Sequence, residues 1–489
     1  MMRTILHETV YRRKSILQPS DIAILFGILF VVLSLAAGKR LPSDVQFIYF
    51  VLILSNTVAI MLLLYHFLRN EIVRILPFLV MFVIFFVGDF VKFYWIMIDP
   101  SIVESQRVTG ELAYSSYVML DSYFLISYGF LSFTLAVLAV LRFFPAKLSE
   151  VSALTRATAR LSRLSNILAV VVIGLSIFLL YLTEHFNIGY MGVANVNLPF
   201  QLAGVIFYTR LIILPVLQSL WLYTALVSRN SSKISIVFVV TALYALITAL
   251  LTTSRGTFLF GVFPLGFVLI LYNKKYLRKN LWFFVVILII TVLGHGFVSD
   301  LRSELVYTGG DAVQALVYQF QHGSLGDPVE SAQRVIFRVT GVDSLIAMSG
   351  PNTPLLSIGD LVVGGVSPTS YFTHVIQGYP VGLLNSSATS LFGWFYLIQG
   401  QLGLIIGVFV FTFGVGVIWQ YLNNLSMQRK WYGVIAVQSV FLTRLLSYAS
   451  DGVLETLPKV MSVMIAALLL VRWIASITFS SSQYRLPPC

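Results

Sequence analysis

Long apolar runs separated by short polar stretches dominate the chain. They fall near residues 21–37, 46–68, 75–98, 117–141, 166–183, 200–227, 234–252, 257–272, 281–299, 403–422, 431–449 and 456–474. At about 1.5 Å of rise per residue, runs of this length match a hydrocarbon layer about 30 Å thick. No water reaches that layer, so each run predicts a helix whose backbone bonds close within the segment. The short alternating segments of a membrane β-barrel do not occur. The expected fold class is all-α, a polytopic membrane protein of about 12 transmembrane helices.

The polar stretches supply the orientation. Alternate connections are basic: Arg69 and Arg74; Arg142, Lys147, Arg156, Arg160 and Arg163; Arg229 and Lys233; Lys274, Lys275, Arg278 and Lys279; Arg429 and Lys430. By the positive-inside rule these connections and both chain ends are cytoplasmic, with Lys39 and Arg40 as a local exception. In this arrangement the cytoplasmic segments hold 21 of the 32 Lys and Arg, against the four acids Glu8, Asp21, Glu71 and Glu150. The outer segments hold the other 11 basic residues against 16 acidic ones. The net charge of +12 is thereby explained by membrane orientation, and no nucleic-acid partner is expected.

Composition agrees. Hydrophobic residues make up 58% and charged residues 11% of the chain, with mean hydropathy +0.89, whereas soluble domains carry about 25% charged residues. A soluble fold is excluded. Residues 1–20 carry Arg3, Arg12, Arg13 and Lys14 ahead of a full-length apolar run without a small-residue cleavage site, which reads as an uncleaved signal anchor. The single cysteine, Cys489, leaves no disulfide or cysteine-based metal site to expect.

Residues 21–299 are thus expected to form nine spans and residues 391–475 three more, followed by a cytoplasmic tail at 476–489. Between them, residues 300–390 form one large outer loop. Within it, Asp327-Pro328-Val329-Glu330 reads as a cap, an N1 proline and an N3 glutamate, opening a helix with Arg334 and Arg338 on one face. The stretch from Ser349 to Pro380 is rich in Gly, Pro, Ser and Thr and is expected to be irregular.

Charged residues in or beside the spans carry the candidate chemistry, because burying them is costly without pairing or function. Arg210 lies within the sixth run, Arg255 in the turn "TTSRGTFLFG", Arg444 toward the outer end of the eleventh run, and Arg302 just past the ninth. Together with Arg334 and Arg338 they offer planar donor forks suited to phosphate oxygens. The alternative is that each neutralises a carboxylate, with Asp89, Asp121, Asp300, Glu304 and Asp451 available. As general bases the loop region offers Asp300, Glu304, His322, Asp343 and His374. Asp343 has a competing role as cap of a short helix beginning at Ser344. Aromatic groups such as "VKFYWIM" and "SLFGWFYLIQG" read as interfacial belts. No phosphate-binding glycine loop, HExxH or Asp-x-Asp sequence occurs, so neither a nucleotide nor a metal cofactor is expected.

In overall plan the chain resembles the Wzy-type O-antigen and oligosaccharide repeat-unit polymerases. The resemblance lies in the many helices, the "TSRGTFL" turn, one large late outer loop with arginines, and the glycine-rich helix "GQLGLIIGVFVFTFGVGV" after it. It also looks like the related O-antigen ligases. The resemblance implies a metal-independent GT-C-type glycosyltransferase in the bacterial inner membrane, with its active site facing the periplasm. Donor and acceptor would both be glycans on undecaprenyl pyrophosphate, with a chain-length regulator and a flippase as candidate partners. Arg255, Arg302, Arg334 and Arg338 would hold the pyrophosphate. A lipid-linked oligosaccharide transporter is the rival from another class, though the inverted repeats common in transporters are not evident.

Overall fold

A computed structural model describes residues 18–103, 107–144, 158–189, 198–272, 274–307, 312–322, 341–350, 353–362, 364–379, 388–426 and 433–479. Over its described residues every apolar run is helical apart from a residue or two at some ends. The helices are α1 (Pro19–Gly38), α2 (Ser43–Arg69), α3 (Ile72–Ile98), α4 (Ser116–Phe143), α5 (Thr158–His185), α6 (Leu202–Val227), α7 (Ser231–Leu251), α8 (Arg255–Tyr272) and α9 (Leu281–Tyr307). Three shorter helices follow: α10 (Ala312–His322), α11 (Val342–Met348) and α12 (Leu391–Leu397). Then come α13 (Gly400–Ser426), α14 (Val434–Asp451) and α15 (Leu457–Phe479). Among the described residues nine of these are long and apolar enough to cross a membrane, and the chain is a multi-pass membrane protein.

Position in the bundle explains composition. The outward faces of α1, α2, α5 and α7 leave large side chains such as Leu25, Ile28, Phe47, Val170, Ile177 and Val239 uncovered. A continuous apolar exterior of that size requires lipid as its solvent. By contrast α14 packs against α3, α6 and α8 and is buried nearly all round, from Val434 through Leu445. Its neighbours are protein, so it carries Gln438, Ser439, Thr443 and Arg444 among its buried residues. Gln438 Nε2 donates to Asn423 Oδ1 of α13 at 2.7 Å, and the Ser439 and Ser219 hydroxyls lie 3.1 Å apart.

Three helices contain π turns, in which one extra residue per turn re-aims the side chains. They are Phe86–Val91 in α3, Thr209–Ile213 in α6, and Phe372–Ile376 in the long connection. Each carries one titratable side chain: Asp89, Arg210 and His374.

The long connection departs from its expected outline in three ways. Helix α9 continues to Tyr307, so Arg302 and Glu304 lie in its last turns and not beyond it. The Ser349–Pro380 stretch contains short helices at Ile358–Val362 and Pro368–Tyr371 as well as the π turn. The first is opened by Ser357, whose N–H and hydroxyl reach Asp360 Oδ2 at 2.8 and 2.7 Å and hold that carboxyl below its usual range. The second is pinned by Glu455, which accepts from Ser367 Oγ at 2.7 Å and from the Thr369 N–H at 3.0 Å.

The third departure matters most. Helix α11 does not lie over the surface: Val342, Leu345, Ile346 and Met348 are buried against α3 and α4. Burying each such side chain is worth about 1.5–3 kcal/mol, which offsets the ordering of a seven-residue segment.

Candidate functional site

Where α11 enters the bundle, its first turn meets the π turn of α3. Gly341 lies so close to Gly88 that an added Cβ would overlap the Gly88 carbonyl and approach Asp89 Oδ1 to 2.9 Å. Only a residue without a side chain permits that contact. The approach brings Asp343 to Lys92, and Asp343 Oδ1 lies 2.9 Å from Lys92 Nζ. The lysine side chain keeps 1% of its surface and the aspartate 18%, so the carboxylate is the less enclosed partner. Asp343 Oδ1 also accepts the Gly341 N–H at 3.1 Å, while Thr109 Oγ1 donates to the Asp343 carbonyl at 3.2 Å. Helix α11 begins at Val342 with Gly341 as its N-cap. Asp343 is therefore not the cap of a helix starting at Ser344; it sits in the first turn and reaches back to the cap backbone.

The surrounding hydroxyls extend the site toward α14. Ser344 Oγ lies 2.6 Å from the Thr389 carbonyl and 3.0 Å from Ser390 Oγ. Gly452 ends α14 in the left-handed region (φ 65°), where a Cβ would collide with the Ser390 carbonyl. Ser122 of α4 bonds Ser349 at the far end of α11 at 3.0 Å. Beneath lies a network linking Tyr94 to Ser34 at 2.5 Å and to Tyr123 at 3.1 Å, with Asn56 on Ser127 at 2.9 Å. Tyr94, expected in an interfacial belt, is a buried member of that network.

Two turns below the end of α14, Arg444 is 9% exposed and its guanidinium lies 5.9 Å from the centre of the Phe260 ring of α8. Its Nε has no hydrogen-bond partner among the described residues. Phe260 folds back toward Gly256, where a Cβ would lie 3.2 Å from the ring, so Arg444 neighbours the turn that opens α8. In that turn Thr253 has φ 47°, an unfavourable conformation for a β-branched residue and a form of strain that clusters at functional sites. Arg255 is the first residue of α8. Leu301 packs with Leu250 and Leu251 and with Ala315 of α10, so the backbone segments carrying Arg302 and Arg255 meet at this end of the bundle.

No family model, curated protein or solved structure matches this chain. The site therefore has to be read from its own geometry.

That geometry sorts the expected residues. Asp343 and Arg444 sit in the buried polar region at the end of the bundle that carries the long connection. Arg255, Arg302, Glu304 and His322 are placed there by their backbone alone, the last as the final residue of α10. Arg334 and Arg338, with the helix expected from Asp327, lie outside the described residues. Arg210 serves a local purpose: its Nη1 donates to Thr183 Oγ1 at 3.2 Å and to the Ile188 carbonyl at 3.1 Å, and it stacks 5.4 Å from the Phe207 ring. It ties the end of α5 to α6. His374 keeps Nδ1 within 3.0 Å of the Tyr379 carbonyl, inside its own loop. The sequence reading missed Lys92 and treated Asp89 only as a counter-ion. The signal was present in "FVGDFVKFYW", where two charges three residues apart interrupt an apolar run.

Proposed function

We propose that this protein is a glycosyltransferase that polymerises oligosaccharide units carried on a polyprenyl pyrophosphate, at the periplasmic face of a bacterial inner membrane. In this reading twelve helices span the bilayer, adding α8, α9 and α14 to the nine that are long and apolar enough to cross it, and residues 308–390 lie on the periplasmic side. The observation that carries the proposal is Arg444, a permanent cation buried in the central helix with its Nε unpartnered among the described residues. Such a group is costly to bury and is retained where it meets an anion during function.

Three further features support it. Arg255 and Arg302 arrive at the same end of the bundle by their backbone. A strained turn precedes Arg255. A carboxylate, Asp343, stands partly open on the same side. Cations arranged in advance lower the barrier to departure of a lipid pyrophosphate, on which negative charge develops. The acceptor is the terminal sugar of a second lipid-linked unit.

Deleting the gene in its host and separating lipid-linked intermediates by size tests this directly. Single repeats accumulating on the lipid are expected. Long lipid-linked chains would identify a ligase with the same donor, and repeats retained on the cytoplasmic leaflet would identify a transporter. An unchanged profile would remove the proposal altogether.

A further inference from the structure

Lys92 and Asp343 form a pair whose two sides are not equivalent. Lys92 is buried inside a membrane-spanning helix, and Asp343 Oδ1 is fixed by two donors, the Lys92 ammonium at 2.9 Å and the Gly341 N–H at 3.1 Å. The other oxygen, Oδ2, makes no hydrogen bond among the described residues, and the side chain keeps 18% of its surface. One oxygen is held by two donors, and no hydrogen bond among the described residues engages the other. Asp89, 2% exposed, borders the same Gly341, and its Oδ1 has no partner among the described residues.

As stability devices, buried ion pairs are poor, since apolar residues of similar volume do as well or better. A carboxylate held in place through one oxygen, with no hydrogen bond among the described residues on the other, is positioned to take a proton from a group brought within reach. Among the other candidate bases, His374 has its Nδ1 on a carbonyl of its own loop.

We propose that Asp343 is the general base of the glycosyl transfer and that Lys92 is its positioning residue. The inference rests on the glycosyltransferase reading above. The acceptor sugar hydroxyl attacks the anomeric carbon of the donor glycan and a new glycosidic C–O bond forms. The bond from that carbon to the polyprenyl pyrophosphate breaks, and its electron pair leaves on the phosphate oxygen. The hydroxyl proton passes to Asp343 Oδ2 and from there to water on the exposed side.

The test uses the full-length protein in lipid vesicles, supplied with a polyprenyl-pyrophosphate-linked oligosaccharide, with polymer length and initial rate as readouts. Asp343→Asn preserves the shape and the bond to Lys92 but cannot take a proton. It is expected to fold as the wild type does, to leave KM for the lipid-linked unit unchanged, and to lower kcat by about 10²- to 10⁴-fold. The exchanged pair, Lys92→Asp with Asp343→Lys, restores the ion pair without the base, so it is expected to fold and make no polymer. Polymer from the exchanged pair, near-normal kcat in Asp343→Asn, or failure of Asp343→Asn to fold would each assign the carboxylate to structure and overturn the inference while leaving the glycosyltransferase reading in place. No polymer from the wild-type protein would overturn both.

Discussion

At the end of α3, Lys92 meets a carboxylate brought in by the long connection, whereas toward the end of α14 the guanidinium of Arg444 lies against the Phe260 ring. Both cations are buried among packed helices at the same end of the bundle. The first is answered by a full opposite charge and an oriented N–H on the same oxygen. The second has the weaker attraction of a ring face, about 0.5–2 kcal/mol, the charge of Asp451 near it without an ion pair between them, and an Nε without a hydrogen-bond partner among the described residues. Charge that is matched on site contributes to holding segments together. A donor left without a hydrogen bond holds no segment in place by itself.

Substitutions can widen or close that gap. The largest effect is expected from Lys92→Met, which strands Asp343 and removes the tether between α3 and α11. Breaking one side of such a pair costs about 3–5 kcal/mol, and denaturant unfolding in bicelles measures it; a loss below 1 kcal/mol would show that the pair is idle. Arg210→Met is expected to cost less, about 1.5–3 kcal/mol, because it forfeits charged hydrogen bonds to Thr183 and Ile188. Limited proteolysis near residue 188 should report the loosened end of α5, and unchanged cleavage would rule out the clamp. The smallest stability change is expected from Arg444→Met, within about 1 kcal/mol in either direction, since a poorly matched buried cation gives back its desolvation cost. Its polymer yield should nevertheless collapse. Full yield from that variant would erase the contrast between the two sites.

Local pattern made most of the helices legible and little of the site. Apolar runs located the helices to within a few residues at most ends, because a lipid solvent imposes one rule along the whole of each segment. The same rule fails for α14, whose buried Gln438, Ser439 and Arg444 reflect neighbours rather than lipid. The pairing of Lys92 with Asp343 joins residues far apart in the chain, and no periodicity encodes it. The π turn that presents Asp89 leaves no mark in composition. Attention to arginines alone also hid Lys92, whose ammonium carries the same cost inside a bilayer. Arg444 was found because a lone cation in an apolar run is visible without any partner.

The seven residues of α11 impose an order on assembly. Helices α3 and α4 leave the ribosome long before Val342 is made, so Lys92 enters the bilayer region with its counter-ion not yet synthesised. Asp343 can be seated only after its own segment has been made and packed into the bundle against α3 and α4. The Ser390 carbonyl against Gly452 then closes the packing between Ser344 and α14. The wedge is thus a keystone, set after the walls are up, and the ion pair at its tip exists only in a chain that has been made well past α9.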